Sequence, residues 1–188
     1  MGFAQEVALD AEALQADLNA RLARLRAAYE ADPYPSLKLR KDRLKRGVDA
    51  VYRNEQRLVD ALAADFGDRA ELTTLFADVL VPIRAFRHAA RNLERWMKPE
   101  KRSAEFPLGL LGSRQYVFYQ PLGVVGIVSP WNGPFGLAYQ PLASALAAGN
   151  RALIKPSELT PHTSQLMLEI TREAFAQESW RGGFGGVY

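Results

Sequence analysis

The chain has 188 residues, enough for one domain with a real core, and its 48% hydrophobic and 24% charged residues are ordinary proportions for a globular protein. A net charge of +3 is too small to argue for a nucleic-acid partner, no apolar run is long enough to span a bilayer, and the acidic start MGFAQEVALD is not a basic signal region. With no cysteine, disulfides, thiolate metal sites and cysteine nucleophiles are excluded within this chain.

In chain order, EALQADLNARLARLRAAYEA spaces Leu14, Leu18, Leu22 and Leu25 as one helical face, and DPYPS stops that helix. Ser36 is placed to cap a second helix whose apolar stripe is Leu39, Leu44, Val48, Val51, Leu58 and Leu62, ended by DFGD. Its basic run, Leu37 to Arg46, reads as a solvated face rather than a phosphate patch, since no aromatic residues are interleaved. A third helix spans about Glu71 to Met97, and Pro82 should kink or split it.

From Leu108 the pattern changes. Tyr116 to Gln120 is aromatic and β-branched and predicts a strand. Val124 to Ser129 is a near-continuous apolar run, of the kind buried on both faces of a parallel sheet. A helix from about Phe135 to Ala148 follows, closed by Gly149 and Asn150. RALIK predicts another short strand, and a last helix begins after Thr160 as N-cap, with Pro161 in its first position. Strand, helix, strand, helix with short loops predicts a parallel βαβ unit, so the chain is α/β.

Two polar clusters end the apolar strands: SPWN (Ser129, Pro130, Trp131, Asn132) and KPSE (Lys155, Pro156, Ser157, Glu158). Ligands of doubly wound sheets sit beyond the carboxyl ends of the strands, where both clusters fall. The Asn132 amide can donate to a developing oxyanion, or it can simply cap the following helix. Lys155 and Glu158 can hold the hydroxyls of a sugar, or they can be an exposed ion pair of little energetic consequence. His88 and His162 stand in no recognisable catalytic constellation and read as structural or solvated.

PLGVVGIVSPWNGPF, ALAAGN and IKPSELTP resemble the signature run of the NAD(P)-dependent aldehyde dehydrogenases. NLERWMKP resembles the branch holding the class 3 and coniferyl aldehyde enzymes, and DPYPSLKLRKDRLK and ADFGDRAELTTLFADVL fit the coniferyl type best. The match runs over about residues 12 to 176. It implies a Rossmann-like cofactor domain of which this chain carries the N-terminal helices and the first, incomplete βαβ unit. Asn132 then matches the residue whose amide helps form the oxyanion hole, and Trp131 lies beside it near the nicotinamide. Lys155 and Glu158 match the pair contacting the adenosine ribose, with Ser157 in the same turn and Ser129 and Pro130 also on the cofactor side. The family usually has an aromatic after the Asn; here Gly133 stands there, which should loosen the turn that aims Asn132.

The resemblance further implies NAD or NADP as cofactor, a small aldehyde of aromatic, coniferyl type as substrate, and a homo-oligomeric parent, dimer or tetramer. The small net charge and the lack of a basic signal region or spanning run make the cytoplasm the default expectation, with neither nucleic acid nor membrane as partner. The family's reaction needs a cysteine nucleophile and a glutamate general base in a downstream segment; this chain has no cysteine. The expectation is therefore an N-terminal piece, inactive alone, ended by truncation or frameshift near Ala176. Its divisions are a helical part (1–113), a bridging or oligomerisation strand (114–122), the start of the NAD(P)-binding domain (123–176) and an unassigned tail (177–188). A non-catalytic nucleotide-binding or interaction module, or a degenerate product, is the alternative.

Overall fold

Pro33 and Pro35 keep the chain out of helix after the first helix, and it re-enters helix after Ser36. The structure, a computed structural model, describes residues 2–175, with side chains from residue 12 onward. Expectations for the tail 177–188 lie outside the described residues. Helix α1 is Gly2–Ala31, and of its predicted stripe Leu25 is buried but Leu14 is exposed. The Ser36 hydroxyl accepts from the Leu39 N–H (3.2 Å) and caps α2, Leu37–Arg53, as predicted.

One long second helix was the expectation; the chain instead breaks at Asn54 and resumes as α3, Glu55–Phe66. Asn54 is buried at φ −112°, its amide donating to the Ala50 carbonyl (2.9 Å) and its oxygen accepting from Arg57 (2.7 Å). A short polar side chain bonded to nearby groups competes with the helix ladder. Gly67, at φ 74°, then ends α3.

The basic run is not wholly a solvated face. Lys38, Lys41 and Lys45 are exposed, whereas Arg40 and Arg43 are buried with Leu44 and Gly47 on the inward side of α2. Helical periodicity turns Arg40 toward the end of a later helix. Arg40 donates to Pro35 O (2.9 Å) and Ala147 O (3.2 Å), and Arg46 donates to Ala174 O (2.8 Å). Cations thus meet the orphan carbonyls of two helix C-termini, where the backbone dipole favours them.

The third helical stretch is split, as Pro82 requires. It runs as α4 (Glu71–Thr74), a π-helical turn (Leu75–Leu80) and α5 (Val81–Trp96). Proline lacks the N–H that would bond four residues back, and the widened turn just before it accommodates the loss. This turn carries Asp78 into the interior.

β1 (Glu100–Arg102) pairs antiparallel with β2 (Gln115–Val117), Lys101 opposite Tyr116. β2 is shorter than the expected Tyr116 to Gln120, and β1 has no apolar alternation by which to be seen in the sequence. β3 (Val124–Val128) and β4 (Arg151–Lys155) flank α6 (Gly136–Ala147), and α7 (Pro161–Ala174) follows. β3 and β4 pair in parallel, Val124 opposite Arg151 through Val128 opposite Lys155.

β3 was expected to be buried on both faces. Instead Ile127 packs into the core, while Gly126 and Val128, on the opposite face of the strand, are exposed. The core lies between α6 and its neighbours: Phe135, Tyr139, Leu142 and Leu146 pack against Phe86 and Leu93 of α5 and Met167 and Ile170 of α7. Tyr139 stacks on Phe135 (centroids 4.0 Å apart) and shares a 2.7 Å hydrogen bond with the Thr171 hydroxyl, so its polar tip is satisfied in the interior.

Candidate active site and cofactor turn

The parallel register of β3 and β4 delivers SPWN and KPSE side by side at the carboxyl ends of two adjacent strands. The Ser129 N–H donates to Lys155 O (2.9 Å), extending the ladder one step into the loops. Ser129 is buried, and its hydroxyl donates to Pro134 O (2.6 Å), folding the loop back on itself. Pro130, Trp131 and Asn132 are carried to the exposed rim, with the Trp131 ring tilted against Phe66 at 6.3 Å.

Asn132 does not cap α6. Its amide makes no hydrogen bond among the described residues, and the first N–H of that helix, Gly136, donates instead to Asp78 Oδ1 (2.8 Å). The Gly133 carbonyl accepts from the Leu137 N–H (2.9 Å), and Gly133 lies outside the left-handed backbone region, so this turn is bonded rather than loose. A side chain at 133 would press on the Leu137 side chain, 3.2 Å from the added Cβ.

On the second loop, Lys155 Nζ lies 2.7 Å from Glu158 Oε2, and both side chains are more than half exposed, at 55% and 76%. The bond from Lys155 holds the Glu158 carboxyl below the usual carboxylate range. Ser157 is buried and organises the turn: its Oγ accepts from the Leu159 N–H (3.2 Å) and its carbonyl accepts from the Ser164 hydroxyl (3.0 Å).

Two charged residues missed by sequence reasoning underlie the first loop. Arg69 Nη2 bonds Asp78 Oδ2 (2.7 Å), Nε donates to Thr74 Oγ1 (3.2 Å), and Nη1 donates to the Asn132 carbonyl (3.3 Å). The guanidinium also lies 4.8 Å from the Phe66 ring centroid, on the aromatic platform that Trp131 meets. Burial pushes the Asp78 carboxyl up, while the Gly136 N–H and Arg69 pull the other way. The available signal was an acid within the apolar stretch LFADVLV.

A third, Asp65, replaces the predicted cap of α7. The Thr160 side chain makes no cap bond, and Asp65 accepts from the His162 and Thr163 N–H groups instead (3.0 and 2.8 Å). His162 Nδ1 is also 2.9 Å from Asp65, and the His88 ring is tilted against Trp96 at 5.7 Å between centroids. No group of three metal-ligating side chains occurs among the described residues, and no described helix is long and apolar enough to cross a membrane.

A two-stranded parallel start of a sheet, with helices before it and paired loop clusters at its carboxyl end, defines a partial α/β nucleotide-domain architecture. The sequence profile of the aldehyde dehydrogenase family matches residues 4–179, and the chain belongs to that family. It is 41% identical over 181 residues to the "Probable coniferyl aldehyde dehydrogenase" of Caulobacter vibrioides, covering 96% of this chain and 37% of that protein. Against the coniferyl aldehyde dehydrogenase of a Pseudomonas species it is 41% identical over 158 residues, covering 84% and 32%. The substrate-bound structure of Staphylococcus aureus AldH superposes with a TM-score of 0.82 at 27% identity, covering 91% of this chain and 36% of that one. The chain therefore spans about a third of the length of these relatives.

Proposed function

We propose that this chain is the N-terminal part of an NAD(P)-dependent aldehyde dehydrogenase that oxidises an aromatic, coniferyl-type aldehyde to its carboxylic acid. The observation that carries the reading is the delivery of Asn132 and the Lys155–Glu158 pair by adjacent parallel strands in register. The names of the two relatives support the substrate class.

Lys155 and Glu158 fit a ribose. Each is exposed and bonded to the other, so an ammonium donor and a carboxylate acceptor can exchange that contact for sugar hydroxyls at little cost. Ser157 fixes the turn that presents them, and Ser129, Pro130 and Trp131 form the neighbouring wall on the nicotinamide side. Bound NAD(P) supplies the hydride acceptor. Asn132 directs an uncommitted amide toward the oxygen that becomes anionic when a thiolate adds to the aldehyde, and such donors act on the transition state rather than on the substrate.

The divisions 1–113, 114–122 and 123–176 follow this reading as helical layer, bridging strand and cofactor domain. The exposed Tyr116, Phe118 and Tyr119 of the bridging segment support homo-oligomeric assembly of the parent. With no cysteine, the chain holds one arm of the catalytic site and part of the cofactor site but not the nucleophile, so it is inactive alone. That same absence favours a second reading, a non-catalytic nucleotide-binding module. Cofactor titration of the purified chain and its Lys155→Ala variant, followed by NADH fluorescence, tests the assignment: equal affinity in both removes the cofactor role from this turn.

A further inference from the structure

The geometry points to Arg69 and Asp78 as a positioning pair that holds the Asn132 loop in its working shape, an inference that rests on the role proposed for Asn132. The contacts close a ring. The Asn132 carbonyl accepts from Arg69 (3.3 Å), Arg69 bonds Asp78 (2.7 Å), and Asp78 accepts from the Gly136 N–H (2.8 Å). Both ends of the Asn132–Gly136 segment are thus fastened to one ion pair. The Asp78 side chain is fully buried and that of Arg69 only 10% exposed, so the pair is a rigid mount rather than a surface contact.

The residue types suit the task. A guanidinium offers three nitrogens in a fixed plane, and here Nε, Nη1 and Nη2 meet Thr74, Asn132 and Asp78 respectively. A lysine has one nitrogen and cannot hold all three acceptors. The π-helical turn brings Ala77 O so close to Gly136 that a methyl group there would collide with it, which is why α6 starts on glycine at this contact. The ring grips the backbone of Asn132 and leaves its side-chain amide uncommitted. An oxyanion donor needs that combination, since its worth depends on being held in place before charge develops.

Residue-resolved hydrogen exchange on the 188-residue chain tests the pair, with thermal melts in parallel, for wild type, Arg69→Lys, Asp78→Asn and the double variant. Arg69→Lys should keep the charge pair and the melting temperature yet speed exchange across residues 131–137 by about tenfold, with α7 unchanged. Asp78→Asn retains an oxygen for Gly136, so Gly136 should stay protected while residues 131–134 loosen, and this variant carries the test should Arg69→Lys fail to fold. The double variant should loosen the loop no more than the sum of the two, because both act through one ring. Unchanged exchange at 131–137 overturns the inference. So does a uniform rise along the chain with a lowered melt, which marks an ordinary structural ion pair. The readout needs neither cofactor nor turnover, so its failure leaves the aldehyde dehydrogenase reading standing. That reading fails separately if Asn132→Ala has normal turnover in an intact enzyme.

Discussion

Asp65, in the last turn of α3, grips Thr163 twice: one carboxylate oxygen accepts from both its N–H (2.8 Å) and its hydroxyl (2.6 Å). The other oxygen serves His162 at its N–H (3.0 Å) and ring Nδ1 (2.9 Å). The open N–H groups of α7, the helix that follows the cofactor turn, are therefore capped from a different helix. Removing this carboxylate by Asp65→Ala should cost about 1–3 kcal/mol, read as a lower urea midpoint at neutral pH, with Asp65→Asn costing less.

The same contact sets an acid limit. Burial alone would raise the Asp65 carboxyl, but the bonds from Thr163 and His162 outweigh it and leave its pKa below the ordinary 3.8. A depressed folded-state pKa adds stability above the unfolded value and loses it as pH falls toward the folded one. The melting temperature should therefore drop in acid below about pH 4, and the drop should be shallower in Asp65→Asn. Parallel curves for the two proteins would assign the acid limit elsewhere.

Purified chain should produce no NAD(P)H from coniferyl aldehyde or benzaldehyde above the buffer blank, since it contains no thiolate to attack the carbonyl. Cofactor reduction that scales with protein concentration would require another nucleophile.

In an intact enzyme combining this chain with the remainder its relatives possess, Asn132→Ala should lower turnover by about 10²–10³ with cofactor affinity spared. Lys155→Ala should weaken cofactor binding by about tenfold and leave turnover at saturation nearly unchanged. Steady-state kinetics with the cofactor titrated separate the two. An aromatic at position 133 must displace Leu137, and it should raise turnover only if that shift improves the aim of Asn132.

The isolated chain should associate. Tyr116, Phe118, Tyr119 and Leu122 are exposed in and beside β2, and among the described residues β3 has one unpaired edge. Sedimentation velocity should give species larger than monomer, reduced in a Tyr116→Ser/Phe118→Ser variant. A single monomeric boundary for the wild type would contradict this.

What the sequence reveals depends on how local each interaction is. β3, β4 and the loop clusters between them carry their own apolar runs and turn residues, so their order and pairing are legible. Ser36 and Gly67 are legible for the same reason, because each acts on neighbours within a few positions. Asp78 is not: its partner Gly136 lies 58 positions away, and an acid in a helix resembles any solvated residue until that contact is known. Arg40 and Arg46 mislead similarly, since a basic run gives no hint that some of its members bond the ends of later helices. Thr160 has the right residue type for a cap and is displaced by a distant competitor, Asp65. The break at Asn54 falls between, local in cause but offset by an uninterrupted apolar stripe.

The π-helical turn at Leu75–Leu80 constrains how this chain can change over time. Such a turn amounts to one residue more than a regular helix holds. Deleting any residue from 75 to 77 would heal the local hydrogen-bond ladder, and taken alone the helix would gain. The helix on either side would keep nearly its present phase, because the wider turn already absorbs the extra residue, but the bulge itself would be drawn back into the ladder. The widened turn is what presents the Ala77 carbonyl and the Asp78 side chain to Gly136, so its loss would shift both and weaken the contacts that Asp78 makes with Arg69 and Gly136. A lineage carrying this extra residue is thus held to it by contacts made elsewhere, and substitutions are open to it in this segment where deletions are not.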